Sequence, residues 1–148
     1  MSASTKLPRK PHADRPRPDE LIRKRSGADL QNGWLGRHGT LYLSDDRLVF
    51  VPTIMDTAMF AKRREIILDE LVEVERFPRD PANMARGGMR ARLLLHTPEC
   101  VYQFMVGDLD AWFDAIERVY ELRRKKGREH TPKFTREGVK NMLLDDAE

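Results

Sequence analysis

The sequence predicts a mainly β domain, with seven short antiparallel strands closed or nearly closed into a barrel and capped by a C-terminal amphipathic helix. Three observations carry that expectation. The stretch Gly39 to Pro52 reads as a hairpin. Other apolar runs of strand length recur between turn signals on both sides of it. The last apolar stretch then changes its period from two residues to that of a helix.

In the hairpin, Leu41 and Leu43 alternate with Thr40, Tyr42 and Ser44, which puts one apolar face on a strand. Ser44, Asp45 and Asp46 are short acceptors that bond nearby backbone N–H groups and so favour a turn. Leu48, Val49, Phe50 and Val51 form a β-branched and aromatic run, stopped by Pro52, which cannot donate to a ladder. Upstream, Asn32 to Gly36 reads as a first strand, with Arg37, His38 and Gly39 as its turn into the hairpin. Asp19 to Arg25 suggests one or two helical turns, broken by Ser26 and Gly27.

Downstream, Thr53 to Arg64 is a longer connection that places Ile54, Met55, Met59 and Phe60 ahead of Lys62, Arg63 and Arg64. Ile66 to Leu68 is a continuous apolar strand, and Asp69 and Glu70 make a turn. Val72 to Phe77 alternates, so that Val72 and Val74 face the core. Pro78 to Gly88 is a loop. Met89 to Leu95 and Val101 to Val106 then pair around a turn at His96 to Glu99.

The helix begins after Gly107, with Asp108 as its N-cap and Asp110 complementing the positive end. Leu109, Trp112, Phe113, Ile116, Val119 and Tyr120 form one wide apolar face, which Trp112 would press into the open end of the barrel. Asp114–Arg118 and Glu121–Lys125 stand at supporting i,i+4 spacing. Arg123 to Lys126 crowd the negative end, and Gly127 stops the helix.

These elements divide the chain into a basic, proline-rich leader over residues 1–27, a domain over 28–126, and a polar tail over 127–148. Within that tail, Thr135 could cap a short helix carrying Val139, Met142 and Leu143. Such a helix would be marginal alone. It is expected to dock back on the domain, with service as a partner's ligand as the alternative. Residues 1–26 hold eight Lys or Arg against three acids, a net of +5 in a chain that totals +3. A basic arm suits an anionic surface, and serves equally as a solvated tail. No apolar run reaches the roughly 20 residues of a membrane-spanning helix, and no apolar signal segment follows Met1. Cys100 is the single cysteine, so no disulfide framework is expected. A cytoplasmic protein, with peripheral membrane association as an extension, is the expectation.

Gly39-x-Leu41-Tyr42-Leu43-Ser44-x-x-Arg47-Leu48-Val49-Phe50 resembles the hairpin of GRAM domains, which often read G-x-L-Y-L-T-x-x-R-L-x-F. Ser44 stands where Thr is usual. The terminal helix with Trp112 and Ile116 is also similar, and the likeness extends over residues 28–124. The resemblance implies a PH-like barrel and a non-enzymatic module that docks on lipid head groups or on proteins. It directs attention to the first and third strand-to-strand loops. Here these offer Arg37 with His38, and Lys62, Arg63 and Arg64.

Two readings of the Ile54–Arg64 connection stand side by side. Met59 and Phe60 insert among acyl chains while the cations meet head groups, or the apolar pair covers the barrel mouth and the cations are solvated. Arg86, Arg90 and Arg92 flank Gly87-Gly88, where arginines clamp a phosphate or simply line an exposed loop. The candidate anion-binding set is therefore Arg37, Lys62, Arg63, Arg64, Arg86 and Arg90. His96 and Cys100 lie four apart with no other His or Cys near them in sequence, so no zinc site, other metal or cofactor is expected. No base or anion hole can be assigned to Cys100, so no enzyme is expected. The aromatic residues sit at core periods rather than interleaved with cations, which argues against nucleic acid. An anionic phospholipid surface is the expected partner and a protein partner the alternative, with the oligomeric state open.

Overall fold

The computed structural model describes residues 20–32, 35–58, 61–78 and 90–136. The strands are β1 (Ile22–Asn32), β2 (Leu35–Ser44), β3 (Arg47–Pro52), β4 (Arg64–Ile67), β5 (Glu73–Phe77), β6 (Arg92–His96), β7 (Val101–Met105) and β8 (Lys133–Thr135). Helix α1 (Ile54–Ala58) lies between β3 and β4, and α2 (Leu109–Lys125) between β7 and β8. One sheet contains all eight strands in the order β4-β3-β2-β1-β7-β6-β5-β8. The expected mainly β fold with its terminal helix is present. Two details differ: β8 is added, parallel to β5, and the sheet is open rather than closed.

The sheet nevertheless curls around one core. Phe50 of β3 and Phe104 of β7 have two strands between them in the ladder, yet their rings lie 5.5 Å apart. Leu41, Leu43, Leu48, Ile66, Leu93 and Leu95 join them, all with 2% exposure or less. Gly39 permits this packing. A Cβ there would stand 2.4 Å from the Val51 carbonyl oxygen and 2.7 Å from the Phe50 ring, closer than any side chain tolerates. The Ser44 hydroxyl accepts from the Asp46 and Arg47 amides at 3.2 Å each, which is the turn chemistry the sequence suggests.

Helix α2 buries the expected face, Leu109, Trp112, Phe113, Ile116, Val119 and Tyr120, against the sheet. Trp112 is fully enclosed, and its indole N–H donates to the Ser26 hydroxyl at 2.8 Å. Gly127 ends the helix at φ +89, where its amide reaches the Arg124 carbonyl and the Arg128 amide reaches Arg123. Asp108 makes no side-chain cap bond. Its carboxylate instead accepts from Lys24 Nζ at 3.4 Å.

Several boundaries move. Ile22 to Gly27 is strand, not helical turn and not leader, because β1 pairs with β2 from Ile22↔Ser44 to Asn32↔Leu35. Arg37, His38 and Gly39 therefore lie inside β2 rather than in a turn. Arg47 holds the segment just ahead of β1: its guanidinium donates to both Glu20 carboxylate oxygens, at 3.0 and 2.8 Å, and also to Glu65. Val72 is exposed, since it precedes β5 and only Val74 turns inward. The tail does not leave the domain at residue 127. β8 pairs with β5, and Phe134 packs edge-on against Phe113 and Tyr120. Thr135 is thus strand rather than a helix cap. The expected helix over Val139 to Leu143, and the leader over residues 1–19, lie outside the described residues.

Candidate functional site

Strands β1 and β7 pair only at Asp29↔Met105 and Leu30↔Phe104. A groove of about 460 Å³ opens at this short seam, lined by Asp29, Gln31, Gly36, His38, Arg90, Arg92, Gln103 and Met105. Alternation explains the lining. Ala28 and Leu30 are buried in the core, so Asp29 between them faces the outer side of the sheet. His38 is the register partner of Asp29, and Arg92 that of Met105.

The groove has more positive than negative groups. Asp29 accepts from His38 Nδ1 at 2.6 Å and from Arg90 at 3.0 Å, so one carboxylate serves two cations. That hydrogen bond and the Asp29 charge raise the His38 pKa above its ordinary value, which favours the imidazolium. Arg92 lies 5.0 Å over the Phe77 ring, and its Nε is enclosed with no hydrogen-bond partner among the described residues. Burial lowers the Arg92 pKa, yet a guanidinium stays charged at neutral pH.

An apolar knob stands beside the groove. The Thr53 hydroxyl accepts from the Asp56 amide at 3.2 Å and so starts α1. The helix is pinned to β2, because the Thr53 amide donates to the His38 carbonyl at 2.9 Å and the Asp56 carboxylate accepts the His38 amide. Ile54 and Met55 on α1 are 86% and 77% exposed. Three features thus meet at His38: the cationic groove, an exposed aliphatic pair, and the connection that carries Lys62 and Arg63.

The expected site residues distribute unevenly. Arg90 lies in the groove. Arg37 pairs with Leu30 and so shares its inward face, with its Nε enclosed and unpartnered among the described residues. Arg64, on β4, pairs with buried Phe50 of β3 and so also lies on the inward face, which separates it from Lys62 and Arg63. Lys62 is exposed and Arg63 half-buried. Arg86, Met59 and Phe60 lie outside the described residues. The sequence reading did not select Asp29, Asp56 or Gln103, and it named Arg92 beside Gly87-Gly88 without keeping it in the final set. Arg92 had a signal, its Arg-x-Arg spacing from Arg90. Asp29 and Gln103 depend on the β1–β7 pairing, and Asp56 on the docking of α1 against β2.

The hSac2 domain from human phosphoinositide phosphatase Sac2 superposes with a TM-score of 0.55 at 12% identity, over 82% of this chain and 79% of that one. The Vps36 N-terminal PH domain matches at 0.53 and 17%, over 74% and 85%. The fold is PH-like. The C-terminal domain of an unknown protein from Leishmania infantum also superposes, with a TM-score of 0.54 at 14% identity, over 68% of this chain and 84% of that one. No protein-family model matches the chain, and no curated protein matches it. Among the described residues, no helix of this PH-like chain is long and apolar enough to cross a membrane.

Proposed function

We propose that this protein is a non-enzymatic, GRAM-type binding module that docks peripherally on anionic membranes at the cytoplasmic face. The observation that carries the reading is the seam groove, lined by His38, Arg90 and Arg92 with Asp29 as the carboxylate among them, beside the exposed Ile54 and Met55. A lipid phosphate would take the unmatched donors as charge-assisted hydrogen bonds. Ile54 and Met55 would enter the interface, where burial contributes roughly 2 kcal/mol per side chain. The Gly39–Phe50 hairpin motif supports the GRAM assignment. Kinship of fold with a PH domain and with a domain of a phosphoinositide phosphatase is consistent with a lipid-facing role.

Each cation near an anionic surface contributes about 1 kcal/mol, about fivefold in affinity. Co-sedimentation of the full chain with phosphatidylcholine vesicles, alone or with phosphatidylserine or a phosphoinositide, tests the proposal. Binding should require the anionic lipid and weaken with Met55→Asp and with Arg90→Glu. Binding to no vesicle, together with capture of a protein through the same groove, would replace it with the adaptor reading.

A further inference from the structure

Among the described residues, one set of three side chains brings metal-ligating atoms together away from the groove: Glu73, Glu75 and His96. We infer that these three form a site for a single divalent transition-metal ion of the zinc class. The arrangement follows from strand register. Glu73 and His96 are partners across the antiparallel β5–β6 pair, and Glu75 is the next residue on the same face of β5. Val74 between the glutamates is fully buried, so both carboxylates lie on the outer face of the sheet.

The geometry fits a small ion. One donor atom from each residue lies within 4.8 Å of the other two. A tetrahedral ion with bonds of about 2.0–2.1 Å needs donors about 3.4 Å apart, which side-chain rotation of the glutamates can supply. His96 Nε2 already contacts the Glu75 carboxylate, so the imidazole edge is turned toward the acids. All three residues are half-buried, with Glu75 at 17% and His96 at 26% side-chain exposure. Two carboxylates and one imidazole leave excess negative charge that a dication would neutralise. Lys133, opposite Glu73 on β8, is exposed.

The donor set selects the metal class. One nitrogen and two carboxylates suit zinc or cobalt, with water completing the shell, whereas calcium and magnesium favour shells made of oxygen alone. Outer contacts also resemble those that orient metal ligands, since the Thr135 hydroxyl donates to one Glu73 oxygen at 2.6 Å. A bound ion would therefore hold β5, β6 and, through Thr135, the docked β8. Cys100, which the sequence sets beside His96, is not among the ligating side chains.

Calorimetric titration of chelator-treated full-length protein with Zn²⁺ tests this, with cobalt absorption to report tetrahedral ligation. Expected is one ion per chain, with affinity at least about tenfold weaker in His96→Gln and in Glu75→Gln, and unchanged in His12→Ala and Cys100→Ala. An NMR titration of the unmutated chain needs no variant and should shift amides around 73–75, 95–97 and 134–136. Absence of 1:1 binding, full retention of affinity in His96→Gln, or shifts confined to other residues would overturn the proposal.

Discussion

Arg47 and Arg123, which brace the β2–β3 turn, differ from the arginines at the β1–β7 seam in how their charge is met. Arg47 is 4% exposed and has two carboxylates, Glu20 and Glu65. Arg123 is equally buried and reaches the Asp45 carbonyl at 2.7 Å as well as Asp46 and Asp69. At the seam, Arg90 and His38 share Asp29, and Arg92 makes no ion pair among the described residues. Guanidiniums with more acceptors than charge are structural. Those with fewer retain donors for an external anion. Counting arginines along the chain cannot separate the two kinds, since Arg123 stands in the most basic run of the helix yet is committed to the turn.

The comparison breaks most sharply at Arg47. Arg47→Ala takes the guanidinium away from the Glu20 carboxylate, itself 6% exposed, and from Glu65. A loss of about 3–5 kcal/mol is expected in chemical denaturation, a large share of the roughly 5–15 kcal/mol that holds a domain. Pairing Arg47→Met with Glu20→Gln should recover much of it, because both charges leave together. Arg123→Ala should cost less, about 2 kcal/mol, because Asp46 and Asp69 are more than half exposed and can turn to water. Equal losses at the two positions would mean that partner burial does not set the difference.

At the seam the expectation reverses. Arg90 is 58% exposed and Asp29 keeps His38 as a partner, so Arg90→Glu should cost about 1 kcal/mol of stability, less than either buried arginine. The same substitution should weaken binding to anionic vesicles more than about tenfold, since it reverses a charge. A smaller and more telling effect concerns His38. Its pKa is raised by the Asp29 hydrogen bond and charge. Its contribution to anion binding is therefore complete below the unperturbed value of about 6.5 and is lost as pH rises through the raised value. Vesicle binding should fall by up to about fivefold across that window, and His38→Gln should remove the pH dependence. A pH profile unaltered by His38→Gln would take the imidazole out of the site.

Much of the fold was legible because local rules and tertiary demand agree. Leu41, Leu43 and Phe50 alternate because one face is buried, and the helical spacing from Leu109 to Tyr120 states its own burial. The start of β1 was not legible. Lys24 and Ser26 occupy positions that alternation would make apolar, yet Lys24 lies 5.4 Å over the Trp112 ring and Ser26 takes the indole N–H. That polar row has meaning only once Trp112, more than 80 residues away, is in place. The groove was hidden for the same reason. Asp29 and Arg90 are 61 positions apart, and the brief β1–β7 contact brings β1 beside the chain that enters β6. Arg90 was legible as a cation, but its site was not.

The smallest expected effect tests whether the turn remains well matched at its rim. Arg23 Nε donates to Asp45 at 2.6 Å, with both side chains about one-third exposed. That hydrogen bond lowers the Asp45 pKa below its ordinary value. A depressed carboxylate contributes stability above its unfolded pKa, near 3.9, and the contribution disappears as pH falls through the lower folded value. Solvent screening keeps it below about 1 kcal/mol at neutral pH. Arg23→Gln should therefore barely alter neutral stability while flattening the loss of stability below about pH 4, measured as denaturation midpoint against pH. If the acid limb keeps its slope, the matched set ends at the buried arginines, and Arg23 joins the solvated charges of the outer strand.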